Sequence, residues 1–262
     1  MNQPAEDYSS ICRGAAQRFS VVPDVHPEDF IFRFLLDHPV FVSKDMAISN
    51  YFDDGARSAE KLRWLLTEVC ELASANIELL EFASGFGCVT RHFKGALPMC
   101  SITSCDIHPR AVEFIRERLG VDAMLSESVP ERLNPTRTFD VAFALSFFSH
   151  MPRQSLSRWI QKLASLVRPS GFLIFTTHGI KTQEKVLTSC TFDSEGFFFQ
   201  PDSEQKDLDT GEYGTAMSLP QYVMKLVFEI PQLRLRYFHE GFWWGHQDLY
   251  VMQVMPNPLP RG

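Results

Sequence analysis

The sequence predicts an α/β fold with a doubly wound, mostly parallel sheet that follows a helical N-terminal segment. Short apolar runs alternate with amphipathic stretches from residue 77 to residue 178, and this alternation is typical of parallel βαβ units. The run Phe139–Leu145 is apolar almost throughout, as expected for a strand that is covered on both faces. Residues 27–73 show helical apolar spacing before the first strand.

Each element follows from its local pattern. Strands are predicted where short apolar or β-branched runs end at turn residues, and these runs are Ile77–Phe82, Met99–Asp106, Ala123–Ser126, Phe139–Leu145, Phe172–Thr177, Leu233–His239 and Asp248–Val254. Helices are predicted where apolar positions recur every three or four residues, over Ile11–Phe19, residues 30–35, Asp45–Phe52, Arg57–Ala73, Val89–Lys94, Arg110–Leu119, Leu156–Val167 and Pro220–Phe228. The sequence Asp53-Asp54-Gly55 indicates a turn, and Pro169 with Gly171 indicates the end of a helix.

The 262 residues are enough for one large domain with a small appendage. We expect a helical cap over residues 1–73 and a main domain over 74–262. An insertion at about 190–216 is rich in Asp, Glu, Ser and Gly around Phe197–Phe199 and resembles a lid or hairpin. The last two strands are close enough in sequence to pair as an antiparallel hairpin, and the proline-rich tail after Pro256 is expected to be loose.

Charge and composition narrow the classes of partner. The formal net charge is −7 and no block of Lys or Arg stands out, whereas a nucleic-acid binder normally carries a basic footprint. The six cysteines are scattered without a C-x-x-C pair, which disfavours structural zinc and a disulfide framework. No secretory signal or membrane-spanning run is visible. We therefore expect a cytoplasmic protein that acts on a small molecule, without nucleic acid or membrane, and in an unknown oligomeric state.

The stretch Leu79–Phe93 is the centre of the functional prediction. A strand ends at Glu81, a turn of small residues follows, and a helical pattern then begins at Val89. Glycine suits a turn with positive φ or close approach of backbone to a ligand, and the start of a helix favours anionic groups. The next strand ends at Asp106, nineteen residues after Gly87, where an acid can accept both hydroxyls of a ribose.

The segment Glu81–Gly87 resembles the E/D-x-G-x-G-x-G motif of class I S-adenosylmethionine-dependent methyltransferases, with Ala83 in place of the first glycine. The resemblance extends through Asp106 and the segments 139–152 and 166–175, and the final hairpin fits the antiparallel seventh strand of that fold. It implies S-adenosylmethionine as cofactor. The implied cofactor-binding residues are Glu81, Ala83 and Gly85 at the methionine part, Ser84 and Gly87 in the same turn, Asp106 at the ribose, Ile107, Ser126, Glu127 and Ser128 around the adenine, and Leu145 and Ser146 under the sulfonium.

Histidines are the candidate catalytic residues. His150 follows the fourth strand, His178 follows the fifth, and His239 and His246 bracket the last hairpin loop, so all four are expected at the same rim. Methyl transfer to a hydroxyl requires a proton to leave, and histidine titrates in a suitable range. We predict that the base is His150, His178 or His246. A histidine that only caps a strand end is the alternative for each of them.

The acceptor is expected to contact Tyr51, Tyr213, Trp243, Trp244 and Asp248, although packing of the aromatic residues and a hairpin role for Asp248 are the alternatives. The ending His246–Val251, H-Q-D-x-Y-V, resembles methyltransferases of glycan and natural-product pathways. The resemblance implies O-methylation of a small polar acceptor such as a sugar or a natural product. No metal is predicted, because no carboxylate cluster suits octahedral oxygen coordination.

Three alternatives remain open. A non-catalytic protein that binds S-adenosylmethionine or regulates through the same fold is the main one. A nicotinamide dehydrogenase is disfavoured because Thr90 stands where its G-x-G-x-x-G fingerprint needs the third glycine. A nucleic-acid methyltransferase predicts a basic strip that the sequence does not show.

Overall fold

The computed structural model describes residues 7–72, 76–202, 205 and 208–256, so the tail after Pro256 lies outside the described residues. Its strands are β1 Ile77–Phe82, β2 Cys100–Asp106, β3 Asp122–Leu125, β4 Phe139–Ala144, β5 Val167–His178, β6 Phe197–Gln200, β7 Thr215–Ser218, β8 Leu233–Trp243 and β9 Gln247–Val254. Its helices are α1 Ser9–Gln17, α2 Phe30–Asp37, α3 Lys44–Trp64, α4 Thr90–Ala96, α5 Pro109–Phe114, α6 Arg153–Ser165, α7 Ile180–Lys185 and α8 Pro220–Phe228.

The main sheet has seven strands in the order β3-β2-β1-β4-β5-β9-β8. Strands β1 to β5 pair in parallel, and β9 is antiparallel to both of its neighbours. The predicted doubly wound sheet with an antiparallel last strand is therefore confirmed. The strand order reverses between β1 and β4, and ligands of such sheets bind outside the carboxyl ends of the strands at this reversal.

Helices cover both faces of the main sheet. On one face α6 and α8 pack with Leu80, Phe175 and Tyr250, and on the other α3 and α4 pack with Leu79 and Ile174. The inner strands are apolar on both sides because each face is buried. No helix of the described residues is long and apolar enough to cross a membrane.

The predicted turn at Asp53-Asp54-Gly55 is wrong, because α3 runs through it without a break. A Cβ atom at Gly55 would lie 2.2 Å from the carbonyl oxygen of Cys88 and 2.9 Å from the His92 ring. The glycine therefore lets α3 cross closely over the turn before α4. A π-helical turn, Leu65–Val69, then extends the helix, while Ala73 lies outside the described residues.

The helix stop predicted at Pro169 and Gly171 is also displaced. Helix α6 already ends at Ser165, and both residues belong to β5. The pairing of β4 with β5 shifts register at this point, from Phe139 opposite Val167 to Val141 opposite Phe172. A bulge tolerates a proline, and a Cβ atom at Gly171 would lie 2.4 Å from the carbonyl oxygen of Asp140.

Two further segments flank the carboxyl edge of the sheet. Helices α1, α2 and α3 share a small apolar core that includes Phe32, Ile48 and Phe52, and β6 pairs with β7 as a separate hairpin within the expected insertion. The final hairpin is confirmed, although β8 continues to Trp243 across a register shift. The boundary at residues 73 and 74 and the limits of the insertion at about 190–216 stay predictions.

We predict that Gly55→Ala lowers the free energy of unfolding by about 1–3 kcal/mol, because the added methyl group overpacks against backbone. The control is Gly95→Ala in α4, where a Cβ atom would meet nothing within 4 Å. There the usual helix preference for alanine should raise stability by about 0.5–1 kcal/mol. Urea unfolding of both variants measures the difference, and a gain in stability for Gly55→Ala would contradict the close crossing.

Candidate active site

A cavity of about 410 Å³ opens at the carboxyl ends of β1, β2 and β4. Its size is ordinary for a small-molecule site. It contains eleven of the twelve predicted cofactor residues, namely Glu81, Ala83, Ser84, Gly85, Asp106, Ile107, Ser126, Glu127, Ser128, Leu145 and Ser146. The strands therefore bring these residues together, as parallel strand ends require.

The turn after β1 takes three left-handed backbone conformations. Ala83 has φ +58°, Gly85 has φ +54° and Gly87 has φ +80°. Alanine tolerates this region at a cost of about 1–2 kcal/mol, so Ala83 keeps the turn under mild strain. Gly85 faces open space in the cavity, whereas a Cβ atom at Gly87 would lie 2.5 Å from Leu119. Gly87 thus serves close packing and does not line the cavity.

Asp106 links the turn to the end of β2. Its Oδ2 accepts a hydrogen bond from the Gly85 N–H at 2.7 Å, and its Oδ1 accepts from the His108 N–H at 3.0 Å. The His108 ring nitrogen Nδ1 is 2.8 Å from the same oxygen. The carboxylate is only 5% exposed, and it is fixed at the cavity wall.

Glu81 is buried behind the turn at the end of β1. Its Oε2 accepts hydrogen bonds from Thr90 Oγ1 at 2.6 Å and from Ser104 Oγ at 2.9 Å. Burial raises the pKa of Glu81 to about 7, with two hydroxyl hydrogen bonds that lower it and a smaller rise from Asp106. A buried carboxyl group with this pKa gains from a nearby cation, which favours its ionised form.

A buried polar network supports the cavity wall at Ser146, which has φ +59°. The Ser146 N–H donates to Thr176 Oγ1 at 2.8 Å, and the Thr176 hydroxyl donates to Gln247 Oε1 at 2.7 Å. Gln247 Nε2 then donates to Ser146 Oγ at 2.8 Å and lies 3.1 Å from His178 Nε2. Gln247 holds a strained backbone in place, and this role was not predicted.

Of the three predicted bases, His150 lines the cavity and the other two do not. Burial lowers the pKa of His178 to about 3, helped by His150 and His246, so His178 stays neutral as a partner of Gln247. Burial also lowers the pKa of His246, and Lys185 adds to this. His246 Nδ1 lies 3.3 Å from Thr182 Oγ1, away from the cavity.

His150 is fixed by the start of β7. Its Nδ1 lies 2.8 Å from the carbonyl oxygen of Gly214, and its own carbonyl oxygen accepts from the Gly214 N–H at 2.9 Å. Its ring stacks on Tyr213 with centroids 4.5 Å apart and planes 9° apart. The insertion therefore delivers Tyr213 to the cavity and orients the imidazole.

Two of the five residues expected to contact the acceptor, Tyr213 and Trp244, line the cavity, and three do not. Tyr51 is fully buried and donates to Asp29 Oδ2 at 2.6 Å. Trp243 is fully buried, with its Nε1 bonded to Ser58. Asp248 accepts from the Gly241 N–H at 2.8 Å inside the final hairpin, and burial raises its pKa to about 6. Packing explains all three positions.

Sequence reasoning missed the lining residues that come from distant segments. Asp29, Phe30 and Ile31 come from the start of α2, and Asp54 comes from the middle of α3. Asp54 Oδ1 accepts from Trp244 Nε1 at 2.6 Å, so α3 and the last hairpin meet over the cavity. The helix-capping Asp29 was a detectable signal for the start of α2, but nothing local indicates which cavity it faces. The other missed residues are Phe82, Phe86, Cys88, Val89, His108, Phe147, Met151, Trp159, Gln205, Leu208, Asp209 and Glu212.

The cavity suits a nucleoside with a cationic sulfonium. Gly85 leaves open space where a side chain would intrude, and Asp106 presents a carboxylate of the kind that accepts ribose hydroxyls. Ile107, Phe86 and Leu145 supply apolar surface beside it, while Glu127 and Ser128 lie at the end of β3. These residues fit S-adenosylmethionine.

Residues 80–173 match the sequence profile of a family described as a methyltransferase domain. Over 124 residues the chain is 29% identical to a tRNA N(3)-methylcytidine methyltransferase of Schizosaccharomyces pombe, covering 43% of this chain and 50% of that one. Over 120 residues it is 31% identical to a malonyl-[acyl-carrier protein] O-methyltransferase of Ilyobacter polytropus, covering 45% and 44%. The chain thus spans half or less of the length of these curated relatives.

The fold resembles that of solved methyltransferases at low identity. The magnesium protoporphyrin IX methyltransferase of Synechocystis PCC 6803, solved with bound S-adenosylhomocysteine, superposes with a TM-score of 0.55 at 12% identity. The match covers 94% of this chain and 96% of that one. It therefore includes the cap and the final hairpin as well as the profile region, and at this identity it concerns the fold.

We predict that Glu81→Gln raises the free energy of unfolding at pH 8 by about 2–3 kcal/mol and has little effect at pH 5. The folded-state pKa of about 7 lies above the ordinary 4.5, so the folded protein binds the proton more tightly and loses stability as the pH rises from 5 to 7. The Thr90 and Ser104 hydroxyls both donate to Glu81 Oε2. The side-chain carbonyl oxygen of a glutamine can therefore accept the same two hydrogen bonds.

Urea unfolding between pH 5 and pH 8 measures this difference. Exposed Glu117→Gln is the control and should give a difference that does not change with pH. If the change in the free energy of unfolding caused by Glu81→Gln were the same at pH 5 and pH 8, the raised pKa of Glu81 would be contradicted.

Three findings agree with a methyltransferase domain. The profile match covers the region from β1 to β5, the sheet is mostly parallel with an antiparallel last strand as the sequence predicts, and the cavity gathers the glycine turn with Asp106. Residues 80–173 therefore resemble a methyltransferase domain, and the chain has the fold of solved methyltransferases.

Proposed function

We propose that this protein transfers a methyl group from S-adenosylmethionine to a hydroxyl oxygen of a small polar acceptor, such as a sugar or a natural product. The observation that carries the proposal is the position of His150, which lines the same cavity as Asp106 and Ser146. A proton acceptor and the residues suited to the cofactor therefore share one enclosed space.

The chain's own residues would hold both reactants. Asp106 would accept the ribose hydroxyls, the turn at Gly85 would receive the methionine part, and Ser146 would lie under the sulfonium. When bound, S-adenosylmethionine supplies a methyl group on a sulfonium, which is an intrinsically good leaving group. The protein has no need of a covalent intermediate, and its main contribution is to align the two reactants.

His150 is suited to take the hydroxyl proton. Its Nδ1–H donates to the Gly214 carbonyl at 2.8 Å, so the neutral ring carries its lone pair on Nε2, which accepts the proton. Stacking on Tyr213 restricts the ring plane. A positioned histidine base typically contributes a factor of about 10²–10⁴ in rate. His178 and His246 are less suited because they lie outside the cavity wall.

The acceptor is proposed to be small because the cavity is enclosed by the cap and the insertion. Phe30 and Asp54 approach from the cap, while Asp209 and Tyr213 approach from the insertion. Trp244 closes the side between them through its bond to Asp54. This enclosure favours an acceptor of metabolite size.

We expect Asp106→Asn to weaken S-adenosylhomocysteine binding by about 10–100-fold, since hydrogen bonds to a charged group contribute about 1.5–3 kcal/mol. Isothermal titration measures the dissociation constant, and circular dichroism checks the fold. Asp122→Asn is the matched control, because Asp122 is exposed at the other end of β3, outside the cavity. Absence of binding by the unmodified protein would refute the proposed enzyme.

We expect His150→Ala to lower kcat by about 10²–10⁴ while the dissociation constant of S-adenosylhomocysteine stays unchanged. Transfer of radiolabelled methyl to a panel of sugars and phenols gives the rate. His246→Ala and exposed His239→Ala serve as comparisons and should retain kcat. If His150→Ala and His246→Ala lowered kcat equally, the assignment of His150 as the base would be contradicted.

A further inference from the structure

The described residues that line the cavity carry an unbalanced charge. Seven of them are acids, and no Lys or Arg is among them. The acids are Asp29, Asp54, Glu81, Asp106, Glu127, Asp209 and Glu212. Since low-dielectric walls focus the field of the charges that line a cleft, this cavity attracts cations and repels anions.

The acids divide between two sides of the cavity. Glu81, Asp106 and Glu127 follow β1, β2 and β3, where the residues suited to the cofactor lie. The others come from the cap and the insertion. The net positive charge of the cofactor would lie beside the first group, so the second group acts on whatever lies next to the cofactor.

Cations near the second group lie behind the cavity wall. Asp29 is joined to Arg91 through the Tyr51 hydroxyl. Asp54 accepts from Trp244, and Arg57 and Lys61 act on it at longer range. These two acids are partly compensated by neighbours that do not line the cavity.

Asp209 and Glu212 are exposed at the rim. Asp209 Oδ1 accepts from the Gly211 N–H at 2.8 Å. Arg158 acts on Glu212 electrostatically, but its guanidinium is engaged in two hydrogen bonds with Glu131. The rim acids are therefore the pair most able to bind an incoming cation.

Aromatic rings accompany these acids. Tyr213 directly follows Glu212 and stacks on His150, while Trp244 lies on the opposite side against Asp54. Aromatic faces attract ammonium groups, most strongly where acids and low exposure assist them. Acids and aromatic rings together form the usual recognition surface for a positively charged nitrogen.

We propose that the acceptor carries a protonated amine, which Asp209, Glu212 and the neighbouring aromatic rings bind while its hydroxyl group approaches His150. The proposal rests on the proposed function and names its substrate class. The same charges oppose phosphorylated acceptors and RNA, whose backbone needs cationic side chains.

The test uses protein saturated with S-adenosylhomocysteine and two matched pairs of probes. These are D-glucosamine with N-acetyl-D-glucosamine, and tyramine with N-acetyltyramine, which differ in the charge of the nitrogen. Saturation-transfer NMR and calorimetry give the affinities at low and high salt. We expect the amines to bind about tenfold more tightly than the acetamides, with a preference that falls as salt screens it.

The double variant Asp209→Asn/Glu212→Gln should lose most of this preference. The double variant Glu113→Gln/Glu117→Gln, which neutralises two exposed acids outside the cavity, should retain it. Equal binding of amine and acetamide, including no binding by either, contradicts the proposal. The proposal is also contradicted if D-glucose 6-phosphate or transfer RNA binds more tightly than the amine probes.

Failure of the proposed function gives a different result. If S-adenosylhomocysteine does not bind, the enzyme proposal fails before any acceptor is tested. If it binds and the amine preference is absent, only the charge of the acceptor is refuted.

Discussion

The buried guanidinium of Arg91 joins the cap to the glycine turn after β1. Its Nε donates to the Gly87 carbonyl, its Nη1 donates to the carbonyls of Val22 and Asp24, and its Nη2 donates to the Tyr51 hydroxyl. Tyr51 passes this contact on to Asp29, which caps α2. A buried charge is tolerated when its hydrogen bonds are satisfied, and here four bonds reach three separate segments. The position of Phe30 over His108 depends on this arrangement.

The sheet could be predicted from the sequence because its signals are local. Strand β4 is apolar on both faces, and the glycine turn after β1 needs only the residues that it contains. The errors arose where contacts between distant segments overrode local preference. The sequence around Gly55 is typical of a turn. In the structure, however, the missing side chain at Gly55 allows α3 to pass close to the carbonyl oxygen of Cys88. Pro169 resembles a helix stop, yet a bulge accommodates it in β5.

The candidate site was predictable to the extent that parallel strands place their ends together. Asp106 followed from this rule, and so did the presence of some histidine at the rim, whereas Ser146 followed from the resemblance to a methyltransferase family. The sequence did not indicate which histidine would face the cavity. That depends on the burial of His178 and on its contact with Gln247. Similarly, Trp243 and Trp244 are adjacent in sequence, but Trp243 ends β8 and is buried in the core, whereas Trp244 lies in the following turn with φ +52° and lines the cavity.

The acidic lining also affects how a catalytic cycle ends. A sulfonium carries a positive charge, whereas the thioether that remains after methyl loss is neutral. Under the proposed function, carboxylates such as Glu81 and Asp106 would therefore bind the donor more tightly than its spent form by electrostatics alone. Under the proposed function the hydroxyl proton passes to His150 at the cavity wall. Exchange of the spent cofactor for a new donor is then favoured by the same charges that gather the reactants.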